Sequence, residues 1–216
     1  MPGMTDPRHA LVDACRRMTA CGITQGTSGN ISLRDGPSMW ISPSATPAET
    51  LAAADVPAMA IDGTDESWID GRKPSTEWRF HRDILRARPE VGAVVHGHPT
   101  FCTVLAITRR PIPPVHYMIA AFGGSDIRCA PYATFGTAEL SGHAVRALEG
   151  RNACLLANHG MIACGPTLAR AMWLAVELET LARQYWHSLL IGGPVLLTDA
   201  EIAAAVRRMD GYGQQA

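Results

Sequence analysis

Residues 91–99, VGAVVHGHP, constrain this chain more than any other stretch. Val91, Val94 and Val95 with Ala93 form a short, mostly β-branched apolar run, which suits a strand covered on both faces and is too short for a helix. Polar residues arrive only at its end. Side chains alternate along a strand, so His96 and His98 point to the same side and both imidazoles can reach one ion. Gly97 between them is expected to leave the opposite side uncrowded. A histidine near a strand end is commonly just a hydrogen-bonded residue, so the weight of this pair depends on further ligands.

A second apolar stretch, 153–157, ends in Asn158-His159 before Gly160 turns the chain into another strand at 161–164. Two buried strands that both end in imidazoles make a three-histidine metal site plausible, since ligands cluster at the ends of neighbouring strands. The expected elements around them are a helix from the Asp6 cap and Pro7 to Gly22, strands at 30–34 and 40–42 joined by Asp35-Gly36, and a strand at 59–62. A helix capped by Ser75 or Thr76 runs to about residue 88 with Glu77 in its first turn, and Pro99 opens another. A helical turn at 116–124, a strand at 127–132, helices at 137–148 and 166–191, and a final helix with the capping box Thr198–Glu201 complete the chain.

Three small-residue segments stand out. Gly26-Thr27-Ser28-Gly29-Asn30 precedes the first strand, Ser42-Pro43-Ser44-Ala45 follows the second, and Ser75-Thr76 starts a helix. Such segments present backbone N–H groups that suit an anion, although each is equally an ordinary turn or cap by itself.

The 216 residues contain no linker or repeat, so a single domain over 1–216 is expected. A formal net charge of −1 provides no global basic field for nucleic acid, and any anionic ligand must be held locally. The first ten residues lack the apolar core of a secretion signal, and no apolar run is long enough to span a bilayer, so a cytoplasmic protein without a membrane partner is expected. The six cysteines, without a C-x-x-C pair, read as reduced core residues, and the spacing of Cys154 and Cys164 sets no pairing.

GTSGN, SPSA, KPSTEWRFH, AVVHGHP, HYMIAAFGGSDIRCAPYATFGT, NHGMIACG and the terminal Tyr-Gly together resemble the class II aldolase/adducin family over almost the whole chain. HYMIAAFGG and CAPYATFGT are specific to its aldolase branch. The resemblance implies an α/β fold, a single three-layer domain whose central, mainly antiparallel β-sheet is flanked by helices. It also implies zinc-dependent retro-aldol cleavage of a ketose 1-phosphate (L-fuculose 1-phosphate, 5-deoxyribulose 1-phosphate or 5-methylthioribulose 1-phosphate) to dihydroxyacetone phosphate and an aldehyde. On that pattern His96, His98 and His159 hold Zn2+, with Glu77 as ligand, base or both; imidazoles also tolerate Mn2+ or Co2+.

The resemblance further implies a phosphate site at Gly29, Asn30, Ser44, Ala45, Ser75 and Thr76. Tyr117 would act as acid and base from a neighbouring subunit of a homotetramer, and Phe135 and Tyr212 would line the aldehyde side. Two departures bear on the phosphate site: Ala45 replaces the family's turn glycine and Thr76 its second serine. Pentulose-phosphate 4-epimerases and methylthioribulose-1-phosphate dehydratases are relatives with related chemistry, and adducin-type heads are non-catalytic ones. His116-Tyr117-Met118 stands where the epimerases carry an acidic residue, and the adducin-type heads usually lack the ligands that are all present here.

Overall fold

Burial alternates with the strand period along one sheet, and that alternation sets the layers. The computed structural model describes residues 6–64 and 66–209, so Tyr212 lies outside the described residues. The strands are β1 (Asn30–Asp35), β2 (Ser38–Ile41), β3 (Ala58–Ala60), β4 (Ala93–Gly97), β5 (Cys129–Ala130), β6 (Ala153–Leu156) and β7 (Gly160–Gly165). They form one seven-stranded sheet among the described residues, ordered β3-β2-β1-β4-β7-β6-β5, with β4 at its centre and every residue of β4 buried.

The helices are α1 (Pro7–Ala20), α2 (Trp78–Ala87), α3 (Thr100–Ile107), α4 (Ala138–Ala147), α5 (Leu168–Leu190) and α6 (Asp199–Met209). Ile31, Ala93, Val95, Leu155, Met161 and Ala163 face one core with α1, α3 and α5. Met39, Ile41, Val94, Cys154, Leu156, Ile162 and Cys164 face the other with α2 and α4. The three expected layers follow directly from this period-two pattern.

The sheet is mixed, which corrects the expectation of a mainly antiparallel one. β5 pairs with β6 in parallel, Cys129 opposite Leu155, whereas the other neighbours are antiparallel. The cause is connectivity: α4 joins β5 to β6, and a helical crossover returns the chain in the same direction. The edge strands are also shorter than expected at 59–62 and 127–132, because the chain turns at residues 61–62 and leaves the ladder at Pro131.

Two local expectations change for steric and electrostatic reasons. The N-cap of α2 is Glu77, not Ser75 or Thr76, and its side chain makes no cap bond because the carboxylate turns inward. Ser75 Oγ instead accepts from the Glu77 N–H at 3.3 Å. The side of β4 opposite the histidines is packed rather than uncrowded: a Cβ on Gly97 would lie 2.5 Å from the Ile23 carbonyl oxygen, so only hydrogen fits.

The cysteines of the described chain are all free. Burial pushes the Cys15 thiol up to about 12 and Cys164 up to about 11, so both remain protonated as apolar core groups. The capping box at Thr198 and Glu201 is present, with Glu201 Oε2 accepting from the Thr198 N–H at 2.7 Å. Tyr185 is buried in the core, where Trp173 packs against it from a partly buried position, and Trp186 packs against Phe101.

A long-range cap fixes the segment that follows His98. Glu179, in the middle of α5, accepts from the first N–H groups of α3, Phe101 at 2.9 Å and Cys102 at 2.8 Å. These charge-assisted bonds satisfy donors that a helix start otherwise leaves open. Glu179→Ala is expected to lower the unfolding free energy by about 1.5 to 3 kcal/mol, measured by urea denaturation, with Glu179→Gln recovering part of the loss. Equal stability of the alanine variant and the parent would contradict this reading.

Candidate metal centre and substrate cavity

His96 stands opposite Asn30 in the β1–β4 ladder, on the sheet face covered by α2. It is fully buried, and its Nδ1 lies 2.9 Å from the Met161 carbonyl oxygen. A carbonyl only accepts, so Nδ1 carries the proton and the Nε2 lone pair is aimed into the site. His98, two residues on, brings its Nε2 to 3.0 Å from that of His96. His159 arrives from the turn between β6 and β7, where Asn158 takes a left-handed φ of 54°. The donor atoms of His96, His98 and His159 all lie within 4.8 Å of one another.

Glu77 completes the cluster. Its Oε2 is 3.1 Å from His96 Nε2 and its Oε1 is 3.2 Å from His159 Nε2. Oε1 is buried and lacks an aligned hydrogen-bond donor. Burial alone would push the Glu77 carboxyl up, but the imidazoles of His96 and His159 outweigh it and hold the group below the usual carboxylate range. Burial, then the neighbouring imidazoles, push His98 down to about 4. With the proton of His96 directed at Met161, its Nε2 lone pair converges with Nε2 of His98, Nε2 of His159 and the Glu77 carboxylate, and this set of nitrogen and oxygen donors fits a divalent metal.

A cavity of about 540 Å³ opens above this cluster. Gly29, Asn30, Ser44, Ala45, Ser75 and Thr76 line one wall, so the structure brings together all three small-residue segments. Two backbone bonds stitch the loops to each other, Ser44 N–H to the Lys73 carbonyl at 2.9 Å and Ser75 N–H to the Ser42 carbonyl at 3.1 Å. Ala45 adopts a φ of 50°, keeping the left-handed turn that a glycine would give at a strain of about 1 to 2 kcal/mol. Gly29 has a φ of +90°, and a Cβ there would lie 2.6 Å from Thr24 Oγ1. Among the described residues neither lysine nor arginine lines the cavity, and hydroxyl and N–H groups there could hold an anion.

Phe135, Tyr132, Ala133 and Asn158 also line the cavity, and the Phe135 segment lies beside Thr76: a Cβ on Gly136 would be 2.9 Å from the Thr76 carbonyl oxygen. Tyr117, the first residue of a short 3-10 helix (Tyr117–Phe122), is exposed and does not line this chain's cavity. Tyr212 falls outside the described residues.

The sequence reading assigned no role to Ser32 or His81, which lie directly behind the site. Ser32 Oγ is 2.8 Å from His81 Nδ1, His81 Nε2 is 2.5 Å from Asn30 Oδ1, and Asn30 Nδ2 donates to Glu77 Oε2 at 3.0 Å. Spacing carried the signal: Asn30 and Ser32 alternate onto one strand face, and Glu77 and His81 are one helical turn apart. Burial, then the nearby His96 imidazole, push His81 down to about 3, so it is neutral.

The profile of the Class II Aldolase and Adducin N-terminal domain matches residues 9–186. A Rhodospirillum rubrum protein called 5-methylthioribulose-1-phosphate/5-deoxyribulose-1-phosphate aldolase is 54% identical, over 97% of this chain and 93% of its own. An Escherichia coli L-fuculose phosphate aldolase is 48% identical over 94% of each chain. A solved L-fuculose 1-phosphate aldolase superposes with a TM-score of 0.91 at 36% identity, covering 96% of this chain and 98% of that one.

Two measurements test the geometry. A Cβ on Gly160 would lie 2.4 Å from the Gly97 carbonyl oxygen and 2.5 Å from His98 Cδ2. Gly160→Ala is therefore expected to displace His98 and weaken divalent-metal binding about tenfold or more, read by calorimetric titration of the metal-free protein; parent-like affinity would refute it. Second, His81 is harder to protonate folded than unfolded, so its contribution to stability is complete above pH 6.5 and is lost as pH falls toward 3. The unfolding free energy of metal-free protein should fall across that window, by up to about 1.4 kcal/mol per pH unit from this group. A flat urea-denaturation profile from pH 6.5 to 4 would contradict it.

Proposed function

The chain belongs to the class II aldolase and adducin family, and we propose on that premise that it is a zinc aldolase cleaving the C3–C4 bond of a ketose 1-phosphate to dihydroxyacetone phosphate and an aldehyde. The observation that carries this reading is the convergence of His96, His98, His159 and Glu77 beside a cavity that hydroxyl-bearing and aromatic residues line. Bound there, the metal supplies Lewis-acid stabilisation of the negative charge that builds on substrate oxygen as the bond breaks.

The chain's own groups supply position and protons. Gly29, Asn30, Ser44, Ala45, Ser75 and Thr76 hold the phosphate, and the stitched loops keep their donors in place. Glu77, a carboxylate in the free site, takes up a proton from solvent once substrate is bound and delivers it to the former C3, where the electron pair of the broken C3–C4 bond becomes the new C–H bond. In the reverse direction its carboxylate removes that proton from dihydroxyacetone phosphate. The C4 hydroxyl loses a proton as the aldehyde carbonyl forms, and Tyr117 from a neighbouring subunit receives it while passing its own phenol proton to solvent. On this reading Tyr117, exposed and off this chain's cavity, reaches the site of a neighbouring subunit in a cytoplasmic homotetramer. Phe135 lies on the aldehyde side, and Tyr212 is assigned there by resemblance alone.

Tyr132 and Phe135 offer the distal end of the substrate an apolar wall, which suits the methyl or methylthio terminus of 5-deoxyribulose or 5-methylthioribulose 1-phosphate. The Rhodospirillum rubrum relative carries both substrates in its name. L-Fuculose 1-phosphate is the second reading, supported by the Escherichia coli relative. A methyl or thioether changes binding by only about 1 to 3 kcal/mol, so all three should be turned over with graded kcat/KM.

A product assay over these three ketose phosphates tests the proposal. Dihydroxyacetone phosphate and the matching aldehyde are expected, with activity lost on chelation and restored by Zn2+. An epimer or a dehydrated ketose with an intact carbon skeleton would refute it. Ser75→Ala should raise KM by about tenfold for the phosphorylated substrate while leaving unphosphorylated analogues unchanged; equal losses on both would remove Ser75 from the phosphate site.

A further inference from the structure

The hydrogen-bond chain behind Glu77 has a direction that its end groups dictate. A carboxylate only accepts, so Asn30 must present its amide nitrogen to Glu77 Oε2, as the 3.0 Å contact has it. The Asn30 carbonyl oxygen then faces His81 at 2.5 Å and requires a donor. His81 must therefore carry its proton on Nε2, leaving Nδ1 to accept from the Ser32 hydroxyl at 2.8 Å. Ser32 and His81 have no exposure, so bulk water does not reach their ends of this chain, while Asn30 and Glu77 border the cavity at 5% and 7% exposure.

The same bond has a second effect. The Asn30 amide nitrogen carries two hydrogens, one engaged by Glu77, and Asn30 lines the phosphate side of the cavity. A flipped amide would turn its oxygen toward the carboxylate and toward an incoming phosphate, placing acceptor against acceptor twice. Glu77 opposes the flip from one side, and His81 opposes it from the other, because its Nε2–H would lose its acceptor along this chain of contacts.

We propose that His81, oriented by Ser32, is a positioning residue for the reaction: it locks the Asn30 amide with its nitrogen toward Glu77 and the phosphate, fixing the base and one phosphate donor together. This inference rests on the assignment of Glu77 as the base. A purely structural His81, stacked on Phe80 at 4.7 Å between centroids, would tolerate phenylalanine with a cost in stability alone. A positioning His81 would not.

The experiment uses the zinc-loaded enzyme and dihydroxyacetone phosphate alone, following exchange of its C3 hydrogen with deuterated solvent by NMR. His81→Phe should slow the exchange about 10- to 100-fold and raise KM for dihydroxyacetone phosphate, with metal content retained. His81→Gln, which keeps an N–H donor, should recover most of the rate, and Ser32→Ala should fall between. Exchange by His81→Phe within twofold of the parent would overturn the inference. Glu77→Gln serves as the control: loss of exchange there with a normal His81→Phe defeats only the positioning role, whereas parent-like exchange by Glu77→Gln defeats the base assignment and the inference together. Should His81→Phe fail to fold, nitrogen-15 NMR of the parent decides: an Nε2–H tautomer supports the inference and an Nδ1–H tautomer overturns it.

Discussion

A buried imidazole lone pair beside a carboxylate and two further imidazoles suits a cation, and much of this architecture holds those four groups together. His96 has no exposure, its own proton is directed at the Met161 carbonyl, and Glu77 and His98 approach its free nitrogen to 3.1 and 3.0 Å. Left to themselves these groups would separate or neutralise by taking up protons. The fold opposes both responses. β4 and β7 are hydrogen-bonded along their length, α2 begins at Glu77, and the His159 turn lies flush on the Gly97–His98 backbone.

That flush packing explains why glycine recurs beside the ligands. Gly97 lies against the Ile23 carbonyl, Gly160 against the Gly97 carbonyl and His98, and Gly29 against Thr24 and the His96 carbonyl. Each missing side chain lets one backbone approach another, and the ligands are spaced by these approaches rather than by their own reach. Ala45 is the counterexample, where the chain accepts a left-handed alanine to keep the loop that borders the cavity.

Much of this was legible in the sequence because the determining signals are local. The β-branched run ending in His96 and His98, and its echo ending in Asn158 and His159, placed the candidate ligands at strand ends; the two strands are not neighbours as expected, because β7 pairs between them, and the turn from β6 into β7 brings His159 to the other two. The small-residue segments were visible as turns, and their convergence became visible only through the ladder joining residues 42–45 to 73–75. The parallel β5–β6 pair was implied by the strand-helix-strand order at 127–157, which outweighs the hairpin signals elsewhere. Gly97 was misjudged because the packing partner, Ile23, is distant in sequence. Spacing put His81 one helical turn from Glu77, but its contact with Asn30, 51 residues away, depends on how α2 packs on β1, which spacing does not encode.

The central claim is that His96, His98 and His159 bind one metal ion as neutral imidazole ligands. X-ray absorption at the zinc edge of the zinc-loaded protein measures this directly. The account predicts a spectrum fitted by three imidazole nitrogens at about 2.0 to 2.1 Å with oxygen completing the shell. It also predicts loss of one imidazole contribution in His98→Ala. A first shell with fewer than three imidazoles, or a spectrum unchanged by that substitution, would contradict it.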